Sequence, residues 1–279
     1  MAQGNLNGQP LVSIGIPTFN RPEGLRRTLE CITSQSYKHL EIIVSDNCSP
    51  SENPSDVARA FAAGDSRITF FRQPSLTTAG ENFRFVLKKA TGEYFMWAAD
   101  DDEWSHTFIE SCVKGLSNAA VITVMPRFRT LFRVGGKTLD NPMPDLSPRR
   151  TTVQNILAFL ARPTPSILYG LHRREALQFF LEEDRWFDFY DCYCVLRILA
   201  LGKILILDES LYVAGVDSDV YQVKSVAARG WPRLSYLPFL RAATTMLSRV
   251  PMSLLERLMI QFRLVLMVSI LFVGHEVLR

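Results

Sequence analysis

The sequence lacks several features that would place it in a specialised class of protein. Its net charge is only +3 over 279 residues, which is too small to indicate a nucleic-acid-binding protein. The five cysteines form no Cys-x-x-Cys pair, so structural zinc is not expected. An odd number of scattered cysteines instead predicts reduced thiols and a cytoplasmic protein. The four histidines show no metal-ligand spacing, and there is no internal repeat.

Long apolar runs are also missing. The most apolar part of the C-terminal tail, 264–274, has eleven residues, whereas a membrane-spanning helix needs about 20. Residues 1–10 are polar and rich in Gly and Asn, which is not the pattern of a signal peptide. What is present is 47% hydrophobic residues, as expected for a globular domain rather than a disordered chain.

The central feature of the sequence is a short apolar stretch that ends in three consecutive acids. Residues 94–99 are aromatic-rich and uncharged, which predicts a buried strand. Asp100, Asp101 and Asp102 follow directly and are called the acid cluster below. Adjacent carboxylates raise one another's pKa, and such hard oxygen ligands suit Mg²⁺ or Mn²⁺. A solvated turn before a helix is the alternative, but open α/β sheets bind ligands at strand ends, which favours the metal site.

Strands and helices alternate through the N-terminal part of the chain. We predict strands at 11–16, 40–45, 67–72 and 94–99. This alternation, with short connections, predicts an α/β fold with a mostly parallel sheet flanked by helices. Right-handed crossovers place the carboxyl ends of parallel strands at one edge of the sheet. Loops 17–21 and 46–49 are therefore expected to meet the acid cluster there.

Two asparagines stand where helices are predicted to begin. Asn20 is the expected N-cap of the first helix, with Pro22 in its first turn. Asn82 is expected to cap a helix over 82–90 that Gly92 closes. A contact with a bound ligand is the second interpretation of Asn82.

The remainder of the chain is less regular. A strand over 121–125 is expected to lead into a hairpin that turns at 135–136. A helix is predicted over 188–201 and a short strand over 204–207. The tail, 231–279, is expected to form two helices separated at Pro251.

Between residues 11 and 104, five short elements follow the predicted strands in a fixed order. They are Pro17–Arg21, Ser34–Val44, Ser45–Ser49, Ala90–Tyr94 and Asp100–Asp102. In this order and at this spacing they resemble family 2 glycosyltransferases, which have the GT-A fold. Asn47 and Cys48 replace the Asp-Gly pair that is commoner in the family.

The resemblance implies an inverting, metal-dependent glycosyltransferase of bacterial surface-polysaccharide type. The donor would be a nucleotide-diphosphate sugar, with UDP- and GDP-sugars expected first, and the acceptor a saccharide or lipid-linked saccharide. The family's DXD motif falls on the acid cluster. Asp102 would be the principal ligand of Mn²⁺ or Mg²⁺, and Asp100 would reach the metal or the ribose.

The family also has a nucleotide-sugar pocket beside these acids. By resemblance its residues here would be Pro17, Thr18, Asn20, Arg21, Asp46, Arg72, Asp100 and Asp101. Asp46 would accept a hydrogen bond from a base N–H, which selects one nucleobase. Arg72 could stack on the base or pair with the diphosphate, and a surface ion pair is an equal alternative.

Inversion needs a carboxylate that removes the proton of the acceptor hydroxyl. In the family this acid opens a helix and is followed six residues later by an arginine, as Asp191 is by Arg197. Asp188 is the rival base, one helical turn earlier, and helix capping is the alternative role for either acid. Three nearby aromatic residues could stack on a sugar ring or belong to the core: Trp186, Phe187 and Tyr190.

We divide the chain into a GT-A domain, 1–230, and a helical tail, 231–279. The nucleotide-sugar-binding half would be 11–125 and the acceptor-binding half 126–230. The tail holds six arginines and two glutamates, and three roles stay open for it. It could pack on the catalytic domain, lie on the inner face of the cell membrane as a peripheral contact, or join two subunits.

Two other functions compete with sugar transfer. A sugar-phosphate nucleotidyltransferase has a similar fold but normally opens with a Gly-rich, basic loop, and Pro17–Arg21 is not such a loop. A non-catalytic nucleotide-sugar-binding module would not need the acid cluster or a base. Both features are present in the sequence, which favours the enzyme.

Overall fold

One mixed sheet, flanked by helices, organises the computed structural model, which describes residues 8–51, 53–132, 136–182, 187–216 and 236–277. The strands are β1 (Val12–Thr18), β2 (Leu40–Asp46), β3 (Ile68–Arg72), β4 (Tyr94–Trp97), β5 (Glu103–Trp104), β6 (Val121–Phe132), β7 (Lys137–Asp140), β8 (Leu171–Arg173) and β9 (Lys203–Val216). The helices are α1 (Pro22–Thr33), α2 (Asn53–Gly64), α3 (Ala79–Lys89), α4 (Phe108–Gly115), α5 (Thr152–Ala161), α6 (Gln178–Glu182), α7 (Tyr190–Leu201), α8 (Leu237–Leu247) and α9 (Leu254–Val277).

The predicted parallel part of the sheet is confirmed. Strands β3, β2, β1 and β4 lie side by side in that order, and every pair among them is parallel. In this register Thr18 is level with Asp46, and Asp46 is level with Arg72. The carboxyl ends of three neighbouring strands therefore stop at the same height, beside the end of β4.

The second part of the sheet is antiparallel at its start. β8 pairs antiparallel with β4 and with β6, and β9 then runs parallel to β6. The predicted hairpin is confirmed by the pairing of β6 with β7, although part of its turn, 133–135, lies outside the described residues. β6 and β9 are much longer than the expected 121–125 and 204–207, because they pair with each other along most of their length.

Three predicted helix caps are wrong. Asn20 adopts a left-handed backbone (φ 54°) and Arg21 occupies the N-cap position of α1 without a side-chain bond. Helix α3 begins earlier than Asn82, since Thr78 forms a capping box with Glu81. The sequence carried that signal, a threonine followed three residues later by a glutamate.

The C-cap of α3 is Ala90 rather than Gly92. A Cβ on Gly92 would stand 2.6 Å from the carbonyl oxygen of Leu11. The glycine therefore lets the chain pass close to β1, and its small size serves the entry into β4 rather than the end of the helix.

The indole of Trp97 fixes the end of β4. This side chain is fully buried, lies 4.7 Å from the ring of Phe180 and 4.8 Å from that of Phe95, and donates its N–H to the carbonyl of Phe83 (3.0 Å). Burying a large apolar side chain contributes roughly 1.5–3 kcal/mol, and the paired indole N–H adds no unsatisfied donor. The acid cluster thus follows an anchored strand.

The tail forms two helices on either side of Pro251, as predicted. Helix α8 buries Phe239, Ala243 and Leu247, and helix α9 buries Ile260 and Leu264. Contacts of α8 are mainly with α7, and those of α9 are mainly with α5. Among the described residues, no helix combines the length and the apolar character needed to cross a bilayer.

Candidate active site

The acid cluster meets the loop after β1 at the carboxyl edge of the sheet. Asp100, Asp101 and Asp102 are only 7%, 6% and 4% exposed. The hydroxyl of Thr18 donates to Asp100 Oδ2 (2.7 Å). Nη1 of Arg21 donates to both Asp100 Oδ1 (3.1 Å) and Asp101 Oδ2 (2.7 Å). The structure therefore brings Thr18 and Arg21 directly onto the first two acids.

Helix α1 approaches the acid cluster at a glycine. A Cβ on Gly24 would lie 2.0 Å from the carbonyl oxygen of Asp100, a distance that no side chain can tolerate. One turn later, the hydroxyl of Thr28 donates to the carbonyl of Ala99 (3.1 Å). Because α1 is held this close, Arg21 at its start reaches the carboxylates.

Asp102 is held from the other side of the site. The hydroxyl of Tyr212 donates to its Oδ2 and the backbone N–H of Gly215 donates to its Oδ1 (2.9 Å). Burial, and to a smaller extent the charge of Asp101, raises the pKa of Asp102 to about 7. Two neutral donors do not offset the loss of hydration of a buried carboxylate.

Among the three acids, Asp102 is the one without a cationic partner among the described residues. Arg21 pairs with Asp100 and Asp101, and no cationic side chain of the described residues pairs with Asp102. Burial raises the pKa of Asp100, against the opposing effects of Arg21 and Thr18. A buried carboxylate with a raised pKa and no cation beside it has the chemistry that a divalent cation would fit.

The protein ligands alone do not complete such a site. Within the described ranges, no three side chains of His, Cys, Asp or Glu converge closely enough to hold a metal ion. This outcome is compatible with the coordination of Mg²⁺ in phosphate-binding enzymes, where one or two carboxylates act together with substrate oxygens and water.

The loop after β2 is closed by its own hydrogen bonds. Asp46 is fully buried. Its Oδ1 accepts hydrogen bonds from the backbone N–H of Ser49 (3.1 Å) and from the Ser49 hydroxyl, and its Oδ2 accepts one from Ser55 (3.0 Å). Arg72 lies 3.9 Å from Oδ2 through Nε and donates to the carbonyl of Ser49 (3.0 Å). Asp46 and Arg72 are thus neighbours, as the strand register requires.

The loops after β1 and β2 are also joined to each other. The backbone N–H of Asn20 donates to the Ser49 hydroxyl (2.8 Å), and the N–H of Asn47 donates to the carbonyl of Thr18 (2.9 Å). Pro17 is buried in β1, level with Ser45. The predicted convergence of the two loops with the acid cluster is confirmed.

Asn82 has a structural partner in this arrangement. Its side chain accepts a hydrogen bond from the Ser45 hydroxyl (2.6 Å) and donates one to the Ser45 carbonyl (3.0 Å). These contacts fasten α3 to the end of β2. They account for the burial of Asn82 without a ligand.

Asp191 stands at the start of α7. Phe189 before the helix has a left-handed backbone (φ 63°), and Asp191 Oδ1 accepts a hydrogen bond from the N–H of Cys192 (2.7 Å). The residue is exposed to solvent. Protein atoms nevertheless crowd around it, and desolvation raises the pKa of its carboxyl. The Asp191 carboxyl is therefore open to solvent on one side and packed against protein atoms on the other.

The surroundings of Asp191 decide between the two roles left open for its aromatic neighbours. Tyr190 is buried against Phe180 and Phe187, so it belongs to the core and does not offer a stacking face for a sugar. Phe187 packs against the same core, whereas Trp186 lies outside the described residues. Arg197 donates to the hydroxyl of Tyr193 (3.1 Å) and lies over the ring of Phe179.

Two residues that hold the acid cluster were not identified from the sequence. Tyr212 and Gly215 lie on β9, far from Asp102 along the chain. The only local signal is the alternation of the strand, which does not say what the strand faces. Ser55, a partner of Asp46, lies in α2. It was also missed, because helical periodicity does not show which side chain outside the helix a residue contacts.

A known family matches the segment that contains the acid cluster and the two loops. The family model described as "Glycosyl transferase family 2" matches residues 13–181. The chain belongs to glycosyl transferase family 2. The match covers every predicted nucleotide-sugar residue, from Pro17 to Asp101, and Asp102 with them. It ends before Asp188 and Asp191.

Curated relatives of this family 2 chain match it over its N-terminal part. The GalNAc(5)-diNAcBac-PP-undecaprenol beta-1,3-glucosyltransferase of Campylobacter jejuni is 36% identical over 95 residues, which are 34% of this chain and 30% of the relative. WcaA of Escherichia coli, provisionally named a colanic acid biosynthesis glycosyl transferase, is 32% identical over 100 residues, 36% of either chain. The matches thus span about a third of the length of these relatives.

Solved structures show that the fold extends beyond that segment. A fragment of S. aureus TarS in complex with UDP superposes with a TM-score of 0.68 at 15% identity, over 90% of this chain and 69% of that one. The mannosyltransferase PcManGT of Pyrobaculum calidifontis, in complex with GDP-Man and Mn²⁺, gives 0.58 at 20% identity, over 96% and 80%. The predicted GT-A fold is confirmed.

Proposed function

We propose that this family 2 chain transfers a sugar, with inversion, from a nucleoside-diphosphate sugar to a saccharide or lipid-linked saccharide during polysaccharide biosynthesis. The observation that carries the proposal is the acid cluster, buried beside two loops at the carboxyl edge of a parallel sheet. The names of the relatives support it. The Campylobacter jejuni relative is named for an undecaprenol-linked acceptor, and the two superposed structures hold UDP and GDP-Man.

The donor side would hold the nucleotide sugar through groups that are already fixed. Thr18, Arg21 and Asp101 form the wall next to Asp100, and Pro17 and Asn20 supply the backbone of the same loop. Asp46, with Arg72 beside it, would choose the base by accepting its N–H. In the structure Asp46 is fully buried and accepts hydrogen bonds from Ser49 and Ser55, so side chains of this loop would have to move for a base N–H to reach it.

Asp102 and Asp100 would hold Mn²⁺ or Mg²⁺ together with diphosphate oxygens and water. When bound, the cation supplies a positive charge next to the departing diphosphate. Tyr212 and Gly215 would keep the Asp102 carboxylate oriented while it serves as a ligand. In the absence of donor and metal, Arg21 would offset the charge of Asp100 and Asp101.

On the acceptor side, Asp191 would take the proton of the acceptor hydroxyl. A carboxyl whose pKa is raised by desolvation is a stronger base than an ordinary aspartate. Its exposure leaves room for an acceptor. We place the reaction in the cytoplasm, because all five cysteines are free thiols, as expected in a reducing compartment.

A thermal-shift screen of nucleoside diphosphates, with and without Mn²⁺, tests the donor side. One base should raise the melting temperature most, because binding stabilises the folded state by mass action, and Mn²⁺ should increase that shift. In Asp102→Asn the increase due to Mn²⁺ should disappear while part of the metal-free shift remains.

Transfer assays with the matching nucleotide sugars complete the test. If no nucleoside diphosphate changes the melting temperature, the proposal is wrong. If a nucleotide sugar binds but is neither transferred nor hydrolysed under any metal condition, the chain is a binding module instead.

A further inference from the structure

Helix α9 exposes an apolar face that no other part of the described chain covers. This apolar face consists of Leu255, Leu258, Met259, Phe262, Val265 and Leu266, which are between 37% and 68% exposed. Single exposed leucines are normal on protein surfaces, but a contiguous apolar patch marks an interaction site. The apolar face is therefore expected to bind a partner.

The exposure follows from helical geometry. The residues of the apolar face recur at spacings of three or four, so they form one stripe along the helix. Ile260, Leu264 and Met267 form the opposite stripe and are buried against the domain. The helix is thus apolar on both sides, and packing on the catalytic domain uses only one of them.

Three exposed arginines of the tail have no acidic partner among the described residues. Arg263 lies on α9, Arg241 lies on α8, and Arg249 follows the end of α8. None of the three forms an ion pair with the described residues. Arg241 and Arg249 line a groove of about 1350 Å³ between α7 and α8. Unpaired arginines at an apolar patch favour an anionic partner.

The groove and the apolar face belong to one continuous surface. Thr244 lines the groove, and its hydroxyl donates to the side chain of Gln261 on α9 (3.1 Å). Gln261 lies at the edge of the apolar face. We call the groove arginines and the apolar face together the tail surface.

A second copy of the chain is a poor occupant for the tail surface. In a two-fold dimer the same patch meets itself, so three arginines from each copy would be brought into one interface. Glu256, whose carboxylate accepts two hydrogen bonds from Ser253, carries a single negative charge and offsets at most one of the three arginines in each copy. The occupant has to be apolar and anionic at once.

An anionic lipid bilayer meets both requirements. A helix lying in the plane of the interface buries one apolar face at the headgroup boundary and pairs its basic residues with lipid phosphates. We propose that the tail surface binds the chain to an anionic membrane, with the apolar face of α9 inserted and Arg241, Arg249 and Arg263 at the headgroups. This binding is independent of the transferase activity.

Sedimentation of the full chain with vesicles tests the proposal. Wild type should bind vesicles of phosphatidylcholine with phosphatidylglycerol and bind those of phosphatidylcholine alone more weakly. The double variant Leu258→Gln/Phe262→Gln should lower the partition coefficient by about tenfold or more. The triple variant Arg241→Gln/Arg249→Gln/Arg263→Gln should lower binding by about fivefold for each arginine, only on anionic vesicles.

Matched controls come from surfaces that the proposal does not use. Leu76→Gln removes a leucine that is 63% exposed elsewhere, and Arg26→Gln/Arg59→Gln removes two exposed arginines of surface ion pairs. Both should bind vesicles like wild type. Melting temperatures confirm that every variant is folded.

Three results would overturn the proposal. The first is a failure of wild type to sediment with anionic vesicles. The second is binding of the tail variants that equals that of the controls. The third is a dimer, detected by analytical ultracentrifugation without lipid, that Leu258→Gln/Phe262→Gln dissociates, which would assign the apolar face to a second copy.

Discussion

The two sides of the candidate site are built differently. On the donor side, Thr18, Arg21 and two acids from separate parts of the chain bond to one another. On the acceptor side, Asp191 accepts a hydrogen bond from the amide of the next residue in its own helix. The proposed donor side is therefore preorganised by long-range contacts, whereas the proposed acceptor side is exposed and is held by a local hydrogen bond. The family match covers the first and ends before the second.

The largest effect is expected from substitution of Asp191, the one residue proposed to deprotonate the acceptor. Asp191→Asn removes the base without changing side-chain size, and the transfer rate should fall by about 10²–10⁴-fold, as for loss of a general base. The thermal shift caused by the nucleoside diphosphate should be unchanged, because the donor side is untouched. Steady-state transfer assays with the matching donor give the rate.

Asp188→Asn is the matched control for this prediction. It replaces a carboxylate of the same type just before α7, and transfer should stay within about threefold of wild type. The opposite order, with Asp188→Asn inactive and Asp191→Asn active, would move the base to Asp188. If both variants were as active as wild type, neither Asp188 nor Asp191 would be the general base.

Arg21→Gln tests the preorganisation of the donor side. It removes the guanidinium that pairs with Asp100 and Asp101, and removal of one member of a largely buried pair costs roughly 3 kcal/mol. The free energy of unfolding, measured with urea, should fall accordingly. Mn²⁺ should restore more stability to this variant than to wild type, because it replaces the missing positive charge.

Arg26→Gln serves for comparison. Arg26 pairs with Glu23 at 3.8 Å on the exposed side of the same helix, and surface pairs contribute little. Its free energy of unfolding should therefore change by less than about 1 kcal/mol. If Arg21→Gln lowered the free energy of unfolding no more than Arg26→Gln does, Arg21 would not be what holds the donor side together.

The smallest effect is expected from the titration of a histidine on β8, the strand between the two sides of the site. His172 on β8 is fully buried, bonded to Thr123 and to the carbonyl of Leu168, and desolvation lowers its pKa to about 4. In the unfolded chain the pKa is about 6.5. The stability due to the neutral ring is complete above pH 6.5 and is lost as the pH falls towards 4.

Between pH 7 and 5, His172 should lower the free energy of unfolding by roughly 2 kcal/mol. Urea unfolding across this range measures the slope. His172→Gln cannot titrate, so its stability should be lower at pH 7 but should change less with pH. A variant with the slope of wild type would show that other groups cause the acid sensitivity.

The sequence was most informative where the chain repeats one local rule. The alternation of strands and helices from Val12 to Trp97 correctly predicted the parallel sheet, because the periodicity of each element is a local property of the sequence. It also predicted which edge of the sheet carries the site, because crossovers between parallel strands are almost always right-handed. The sequence was less informative about caps. Asn20 and Asn82 were both suitable residue types, but Arg21 and Thr78 are the true cap positions.

The contacts that complete the site could not be predicted in the same way. Tyr212 reaches Asp102 across 110 positions of sequence, and a Cβ at Gly24 is excluded only by the nearby carbonyl of Asp100. Neither contact leaves a periodic signal. The closure of Asp46 by Ser49 and Ser55 likewise depends on how a loop and a helix start fold together.

One feature links the two sides through the backbone itself. Helix α7 begins at Tyr190, next to Asp191, and ends at Leu201, and after Gly202 strand β9 continues directly to Gly215, which holds Asp102. A single helix and a single strand therefore connect the proposed base to the residue that holds the proposed metal ligand. Because the pairing of β9 with β6 fixes the position of Gly215, an insertion at Gly202 would be expected to shift α7 and Asp191 relative to Asp102 without changing either residue.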